Sequence, residues 1–441
     1  MINTDILIRA RWIVPIEPDG VLENHAVAIQ SGRIVDIVPS DEIATKYRAP
    51  EVIDLPHHAL IPGLVNAHTH AAMTLFRGLA DDLPLMDWLQ NHIWPAEAKW
   101  VNPEFVRDGT ELAAVEMLKS GTTCFSDMYF FPEDTARACL EIGMRAVVGL
   151  ILIDFPTAYA QTPDEYLHKG IALHDDLRAA ELVTTAFAPH APYTVSDGPL
   201  TKLRTLNDEL NLPLHMHVHE TAHEVAEATR VTGQRPLARL AALNLLQPNL
   251  VAVHMTQLTD AEIESVARSG ASVVHCPASN LKLASGFCPV HKLLQAGANV
   301  ALGTDGAASN DNLDMLGEMR IAALLAKAVA AEATALPAHL ALRMATLNGA
   351  KALGLDDRIG SIVRGKSADL VAIDLSAADT QPVYNPISQI VYAAGREQVT
   401  DVWVHGKRLV ADRALTTLDE AAVLRKAKNW QEKIAGADKR R

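Results

Sequence analysis

Residues Gly63–His70 read Gly-Leu-Val-Asn-Ala-His-Thr-His, a short apolar run that ends in two histidines, His68 and His70. Side chains alternate between the two faces of a β-strand, so both imidazoles project from the same face. Neutral imidazole is a common ligand of Zn²⁺ and related metals. We therefore expect His68 and His70 to form half of a metal site at the end of a buried strand.

Apolar, β-rich runs alternate with helical patterns through the middle of the chain. Helical patterns such as Asp108–Lys119 and Asp260–Arg268 lie between the runs. Eight such repeats predict an α/β fold of the (β/α)8 TIM-barrel type, with the chemistry at the carboxyl ends of the strands. The runs begin near Leu64, Thr122, Arg145, Val183, Leu214, Leu250, Ser272 and Asn299.

Both ends of the chain contain strand-like segments, such as Ile34–Val38 and Val399–Val404. Turn signals flank these segments, as in β-hairpins. We expect one small β-sandwich built from both chain ends. The predicted division is residues 1–60 for its N-terminal part, 61–362 for the barrel, and 363–441 for its C-terminal part with a helical, solvated tail.

Composition and charge exclude several classes of protein. The formal net charge of −14 argues against a nucleic-acid binder, which would present a basic face. The four cysteines form no Cys-x-x-Cys pair, which disfavours a thiolate zinc site and fits a reducing compartment. A signal-peptide pattern and a membrane-spanning apolar run are also absent from the sequence. We expect a cytoplasmic protein that acts on a small molecule.

The ends of other runs supply further candidate ligands. The fifth run ends in His215–Glu220, the sixth in His254 and the eighth in Asp305. Three imidazoles and one carboxylate suit Zn²⁺, and Fe²⁺ or Mn²⁺ accepts the same donors. A metal lowers the pKa of a bound water to about 7, and a carboxylate such as Glu220 or Asp305 can then carry protons. Alternation does not select the ligand among the three histidines of the fifth run, because all three share one face.

Together these motifs resemble the amidohydrolase superfamily and, within it, the 5'-methylthioadenosine/S-adenosylhomocysteine deaminases. The resemblance covers essentially the whole chain. The motifs that carry it are Pro62–His70, Met86–Leu89, Pro95–Glu97, Ala188–Tyr193, His217–Thr221, His275–Leu283 and Gly303–Asn310.

The resemblance implies a single divalent metal, with Zn²⁺ expected. Binuclear relatives use a carboxylated lysine at the end of the fourth strand, and residues 184–190 contain no lysine. The implied His-x-x-Glu motif aligns with His217 and Glu220, so His215 and His219 become supporting or packing residues. The implied metal ligands are His68, His70, His217 and Asp305.

The resemblance also implies a reaction, the hydrolytic deamination of 5'-methylthioadenosine to 5'-methylthioinosine and ammonia. S-adenosylhomocysteine and adenosine are further candidate substrates. In the implied mechanism, water activated at the metal attacks C6 of adenine and is oriented by His254. Glu220 protonates the neighbouring ring nitrogen, and Asp305 accepts a proton from the water. Zinc deaminases of nucleobases likewise use a glutamate that is not a ligand as general acid and base.

Glu220, Asp305 and five further residues are the implied substrate contacts. Glu97 and His190 resemble the pair that contacts the ribose hydroxyls, which need buried hydrogen-bond partners. Trp88 offers an apolar face to the 5' substituent or is a core residue of a loop helix. Ser309 is expected to line the pocket or to cap a helix.

Arg145 aligns with an arginine that in some relatives approaches the amino-acid carboxylate of S-adenosylhomocysteine. The alternative interpretation is that Arg145 forms a salt bridge or is exposed to solvent. Those relatives have a second arginine just downstream, where residues 149–156 here are mostly apolar and contain none. This difference favours 5'-methylthioadenosine as the substrate.

Three other functions remain open. A triazine (chloro)hydrolase shares the scaffold and ligands, but the relatives compared lack the glutamate that corresponds to Glu220. A guanine or cytosine deaminase would not need the ribose contacts of Glu97 and His190. A non-catalytic metal-binding barrel would not need Glu220. Homologous barrels often associate, so a homo-oligomer also remains open.

Overall fold

The N-terminal residues form a mixed sheet in the computed structural model, which describes residues 1–438. The turn Ser31-Gly32 has positive φ at both positions (49° and 75°), as a two-residue β-hairpin turn requires. The predicted hairpin is therefore present. The N-terminal elements are β1 (Ile2–Asn3), β2 (Ile6–Ile13), β3 (Leu22–Gln30), β4 (Arg33–Pro39), α1 (Ser40–Lys46), β5 (Tyr47–Arg48) and β6 (Glu51–Pro62).

Eight parallel strands follow, each hydrogen-bonded to the next in chain order. Their residues are almost entirely buried, because helices cover the outside of the sheet and side chains fill the inside. The expected TIM-type barrel and all eight of its predicted strands are confirmed. The strands are β7 (Leu64–Thr69), β8 (Thr122–Asp127), β9 (Arg145–Leu152), β10 (Val183–Pro189), β11 (Leu214–Val218), β12 (Leu250–His254), β13 (Ser272–His275) and β14 (Asn299–Leu302).

Helices connect the strands and end at capping residues. The Thr259 hydroxyl accepts from the Glu262 backbone, the Glu262 carboxylate accepts from Thr259, and Gly270 at φ 74° ends that helix. The helices are α2 (Leu85–Asp87), α3 (Trp94–Trp100), α4 (Pro103–Lys119), α5 (Pro132–Ile142), α6 (Pro163–Leu177), α7 (Asp197–Leu210), α8 (Ala222–Thr232), α9 (Pro236–Ala242), α10 (Asp260–Ser269), α11 (Pro277–Lys282), α12 (Val290–Gln295), α13 (Ala307–Asn310), α14 (Met315–Ala330), α15 (Ala338–Met344) and α16 (Leu347–Ala352).

The first and last barrel strands approach each other at their carboxyl ends. The Asp305 backbone N–H donates to the His68 carbonyl at 3.0 Å. Next to it, the Asn66 side chain accepts from the Thr304 backbone N–H at 3.0 Å. Gly303 packs so closely on His68 that a Cβ atom there would lie 2.9 Å from the His68 backbone nitrogen. This close approach brings the ends of β7 and β14 together.

The C-terminal strands complete the N-terminal sheet, so the expected β domain from both chain ends is confirmed. Strand β15 pairs antiparallel with β6, and the eight-stranded order is β18-β17-β16-β15-β6-β2-β3-β4. Trp403 is fully buried in the core of this domain. The remaining elements are β15 (Leu370–Asp374), α17 (Pro386–Tyr392), β16 (Val399–Val404), β17 (Lys407–Ala411), β18 (Ala414–Leu415) and α18 (Glu420–Asp438).

Arg145 joins the barrel to this β domain. It is the first residue of β9, and its guanidinium donates to the two carboxylate oxygens of Asp369 at 2.8 and 3.1 Å. Both side chains are buried, at 3% and 1% exposure. Because parallel strands begin at the face opposite the catalytic mouth, Arg145 cannot reach a substrate there. The expected contact with S-adenosylhomocysteine is wrong, and the alternative of a salt bridge is correct.

The predicted tail helix is present as α18, but its expected solvation is only partly correct. Trp430 is buried, and its indole N–H donates to the Asp108 carboxylate at 2.9 Å. The Trp430 ring also meets Phe105 edge-on, with 5.2 Å between centroids. One face of α18 therefore packs on α4. Within residues 1–438, no helix combines the length and apolarity needed to cross a membrane.

Candidate active site

Four side chains from three strand ends converge at the carboxyl end of the barrel. The Asp305 Oδ1 atom lies 3.2 Å from the Nε2 atoms of both His68 and His70. His217, from β11, places its Nε2 atom 3.2 Å from that of His68. The four ligand atoms all lie within 4.8 Å of one another. The structure thus brings together the whole predicted ligand set.

The second nitrogen of each imidazole is held by a neighbour. His70 Nδ1 donates to the Met128 carbonyl at 2.6 Å, and His217 Nδ1 donates to the His190 carbonyl at 2.7 Å. His68 Nδ1 lies 2.8 Å from Nε2 of His215. Such partners fix the orientation of a metal-binding histidine and leave Nε2 free to coordinate.

Asp305 is oriented in a similar way. Its Oδ2 atom accepts from the hydroxyls of Ser279 and Ser309 at 2.7 and 2.8 Å, so Oδ1 faces the two histidines. The expectation that Ser309 lines the pocket is wrong, since its hydroxyl lies behind Asp305 and not in the cavity wall. Its observed role is to hold the carboxylate.

The donor set fits a divalent metal of the zinc type. Burial lowers the pKa of His68 and His217, so both imidazoles are neutral and offer a lone pair. The adjacent histidines hold the pKa of Asp305 well below its usual range despite burial, so its carboxylate is ionised. Three imidazole nitrogens and one carboxylate oxygen match the ligands that Zn²⁺ takes in catalytic sites. The family resemblance had suggested these residues, and their geometry now supports that choice.

Glu220 lies beside this group without joining it. Its side chain is buried, and its Oε2 atom is 3.8 Å from Nε2 of His254. Burial, together with the negative charges of Asp305 and Glu224, raises the pKa of Glu220 well above its usual value. The Glu220 backbone is held at both ends, since its N–H donates to Glu224 at 2.6 Å and its carbonyl accepts from Thr256 at 2.6 Å. A protonated, rigidly held carboxyl group can act as a general acid.

His254 occupies the carboxyl end of β12 in a left-handed backbone conformation (φ 74°). Its ring stacks on His217 with 5.4 Å between centroids and 16° between planes. On the other side, its Nδ1 atom lies 2.9 Å from the side-chain nitrogen of Asn280. Residues with positive φ concentrate at functional sites, where packing compensates for the strain.

A cavity of about 580 Å³ opens directly onto the ligand group. Among its lining residues are Glu97, His190 and Trp88, and Trp88 is also buried in an apolar cluster, so both of its expected placements apply. Burial raises the pKa of Glu97 to about 7, although the neighbouring Tyr129 hydroxyl opposes part of this rise. The His190 ring is fixed by Thr194, whose hydroxyl lies 3.0 Å from Nδ1.

The wall farther from the ligand group is mainly apolar and aromatic. Trp88, Trp94, Ile153 and Phe155 line it, and the ring centroids of Trp94 and Phe155 lie 6.0 Å apart. Among the residues that the structure describes, no lysine or arginine lines this cavity. Such a wall suits an apolar substituent better than a charged one, because burying a charge without a partner is costly.

Several supporting residues were not predicted individually. Tyr129 follows β8 and lines the cavity, a position that apolar periodicity does not mark. His215, expected only as a supporting or packing residue, links His68 to the Ser126 hydroxyl, which lies 3.0 Å from its Nδ1 atom. His219 turns away at φ 55°, so its Nε2 accepts from the backbone of α9 at 3.1 Å.

The model of the amidohydrolase family matches residues 59–409. The chain belongs to the amidohydrolase family. This match includes all eight barrel strands and the four converging side chains. The resemblance drawn from the motifs is therefore confirmed.

Individual amidohydrolases are similar over nearly the full length. The chain is 53% identical over 431 residues to a protein of Saccharophagus degradans named 5-methylthioadenosine/S-adenosylhomocysteine deaminase, covering 98% of this chain and 97% of that one. It is 55% identical to an adenosine deaminase from Xanthomonas campestris whose crystal structure has bound zinc, with a TM-score of 0.98 and 99% of each chain covered. An atrazine chlorohydrolase from Arthrobacter aurescens complexed with zinc is only 22% identical, with a TM-score of 0.89. The alignment covers 96% of this chain and 99% of that one. At this identity the likeness shows the fold alone.

Proposed function

We propose that this protein hydrolytically deaminates adenine nucleosides, with 5'-methylthioadenosine as the preferred substrate and 5'-methylthioinosine and ammonia as products. The observation that carries the proposal is Glu220, a buried carboxyl group beside the ligand set. Glu220 is not one of the ligands, and within residues 1–438 it forms no salt bridge with lysine or arginine. Adenine deamination needs such a group to protonate the ring. The names of the similar deaminases support the same reaction.

In this proposal, His68, His70, His217 and Asp305 hold one divalent ion, expected to be zinc. The zinc-bound relative from Xanthomonas campestris supports the choice of ion. The strand β10 contains no lysine that could be carboxylated to bridge a second ion, which supports a single metal. When bound, the metal supplies a Lewis acid that makes a water acidic enough to react near pH 7.

The side chains then account for each proton. Glu220 donates a proton to N1 of adenine, which makes C6 more electrophilic, while Asp305 accepts a proton from the attacking water. Asp305 passes that proton to the amino group, the C6–N bond breaks, and ammonia leaves. The proton of the new C6 hydroxyl returns to Glu220 as the C6=O bond forms. Water and nucleoside are thereby converted to a 6-oxopurine nucleoside and ammonia, with both carboxyl groups restored.

The rest of the cavity supports a nucleoside with an apolar 5' group. Glu97 accepts hydrogen bonds from the ribose hydroxyls, and His190 contacts the same part of the sugar. The methylthio group packs against Trp88 and the aliphatic end of β9. The absence of a cationic side chain from the described cavity wall supports this preference over S-adenosylhomocysteine, whose carboxylate would lack a partner.

We also propose a domain organisation, a partner and a cellular location for this activity. Residues 61–362 form the catalytic barrel, and residues 1–60 and 363–441 form the β domain and tail. The proposed partner is a small-molecule nucleoside in the cytoplasm, with no role for nucleic acid, in keeping with the net charge of −14. Self-association into a homo-oligomer is compatible with this function.

Steady-state kinetics of the zinc-loaded protein test the proposal. Ammonia release is measured with 5'-methylthioadenosine, S-adenosylhomocysteine, adenosine and a chlorotriazine. We expect the largest kcat/KM for 5'-methylthioadenosine. Dechlorination of the triazine without deamination of any nucleoside would refute the proposed function, whereas a preference for S-adenosylhomocysteine would refute only the specificity.

A further inference from the structure

Asn280 is a buried amide whose side chain has one hydrogen-bond partner among the described residues, the His254 ring. It lies on α11, is 1% exposed, and its Nδ2 atom is 2.9 Å from Nδ1 of His254. Its side-chain oxygen is also buried and has no hydrogen-bond partner among the described residues. Leaving a buried polar atom unpaired costs about 1–3 kcal/mol. An amide kept at such a cost suggests a role in orienting His254.

The chemistry of the two groups determines what this contact does. An amide nitrogen is always a donor, so the Nδ1 atom of His254 must accept and carries no hydrogen. In a neutral imidazole the hydrogen then resides on Nε2. That Nε2 atom faces the active site, 3.8 Å from the Glu220 carboxyl group.

Asn280 is itself held firmly in this position. The Asn280 backbone N–H donates to the Cys276 carbonyl at 3.0 Å, and its carbonyl accepts from Ser285 at 2.9 Å. The start of α11 is tied to α14, because the Glu318 carboxylate accepts from the Ala278 backbone at 3.2 Å. Asn280 does not line the substrate cavity. Any effect of Asn280 on the reaction therefore has to pass through His254.

We propose that Asn280 is a positioning residue that keeps His254 in the tautomer with hydrogen on Nε2. In that state His254 donates a hydrogen bond to the attacking oxygen and stabilises the negative charge that develops on it. Asp305 then remains the proton acceptor, because His254 offers no lone pair at the reacting face. With the amide rotated by 180°, Nδ1 would carry the hydrogen and His254 would instead compete for the proton. This inference rests on the proposed function for its catalytic consequence.

The test combines a spectroscopic and a kinetic measurement. In the zinc-loaded protein labelled with ¹⁵N-histidine, the long-range ¹H–¹⁵N spectrum reports which ring nitrogen of His254 is protonated, with His254→Gln identifying the signal. We expect an unprotonated Nδ1 in the wild type. Asn280→Asp presents only acceptors, so Nδ1 should gain a hydrogen, and Asn280→Ala should lose the preference for either nitrogen.

The expected kinetic effect is a selective loss of kcat. Removing one donor to a developing oxyanion lowers kcat by about 10²–10³-fold, and we expect this for Asn280→Asp and a loss of at least about tenfold for Asn280→Ala. KM for the nucleoside and zinc content should change by less than about twofold, since Asn280 touches neither. Asn312→Asp adds the same charge at an exposed neighbouring position and serves as the control.

Two results would overturn the inference. One is a wild-type spectrum with hydrogen on Nδ1 of His254, which needs no variant and no turnover. The other is an Asn280→Asp or Asn280→Ala protein with wild-type kcat. A wild type that deaminates no nucleoside would refute the proposed function instead, and the spectrum would still decide the tautomer.

Discussion

Replacing Arg145 by methionine should destabilise the protein without changing substrate recognition. The guanidinium makes two hydrogen bonds to Asp369 and one to the Ser367 hydroxyl at 3.1 Å, all away from the active-site cavity. In Arg145→Met, Asp369 remains buried, and the donors left to it among the described residues are the Ser367 hydroxyl and the His405 backbone. Breaking a buried ion pair by removing one partner costs about 3–5 kcal/mol.

This cost converts into a measurable shift in melting temperature. Unfolding entropy is about 2.1 cal/mol/K per residue, so a chain of 441 residues has about 0.9 kcal/mol/K. Arg145→Met should therefore lower Tm by about 3–5 °C in a thermal unfolding experiment. Arg9→Met serves as the control, because it breaks an exposed ion pair. The side chains of Arg9 and Asp54 are 34% and 63% exposed, so this variant should lower Tm by about 1 °C or less.

The pH dependence gives a second check. Despite burial, Arg145 holds the pKa of Asp369 below its usual value, so this pair stabilises the fold above that value and the stabilisation is lost as the pH falls. The Tm difference between wild type and Arg145→Met should thus narrow as the pH falls below about 4, the pKa of Asp in the unfolded chain, towards the lower pKa of Asp369 in the folded protein. The double variant Arg145→Met with Asp369→Asn should recover part of the stability.

Kinetics separate this stabilising role from substrate recognition. KM for 5'-methylthioadenosine and for S-adenosylhomocysteine should stay within about twofold of wild type in Arg145→Met. An unchanged Tm together with a selective rise in KM for S-adenosylhomocysteine would show that the placement of Arg145 is misunderstood.

Three further substitutions test the site. Glu220→Gln should retain zinc, as measured by elemental analysis. It should nevertheless lower kcat for deamination by about 10³-fold or more, since a proton donor contributes about 10²–10⁴-fold. The control variant Glu227→Gln, on the exposed surface of α8, should keep the wild-type kcat. At a pH about one unit above the raised pKa of Glu97, where its carboxyl group is ionised, Glu97→Gln should lower kcat/KM for nucleosides by about tenfold to 10²-fold. Hydrogen bonds to a charged group are worth about 1.5–3 kcal/mol. Equal rates would argue against the ribose contact. Ser279→Ala removes one of the two donors to Asp305 and should weaken zinc affinity by at least about tenfold in a chelator competition, as for other residues that support a ligand. Unchanged affinity would mean that Ser309 alone is sufficient.

Two regularities account for what the sequence could predict. Side chains alternate between the two faces of a strand, and the active site of a TIM barrel lies at the carboxyl ends of its strands. His68 and His70 share a face because they are two residues apart, and His254 and Asp305 follow apolar runs that end at the same mouth. These patterns are local, so one chain is enough to detect them. The same rule places the start of a strand at the opposite end of the barrel, which explains why alignment alone misplaced Arg145.

The remaining features depend on contacts between distant segments. Side-chain alternation could not select the ligand among His215, His217 and His219. The positive φ that turns His219 away, just after β11, arises only in the folded loop. Ser309 lies four residues after Asp305, but its bond to the carboxylate depends on the α13 turn. Asn280 and His254 are 26 residues apart and meet only when neighbouring strands align.

Because strands from both chain ends form one sheet, this sheet can be completed only late in synthesis on the ribosome. Pro62 of β6 pairs with Leu370 of β15, about 300 residues later, so at about 5–20 residues per second β6 waits roughly 15–60 s for its partner. An unpaired strand edge can capture another nascent chain. Pro62 is the last residue of the segment that β15 later covers, Pro56 lies two residues before that segment, and neither has a backbone N–H to donate. These prolines shorten the edge available for misassembly while the barrel is being synthesised.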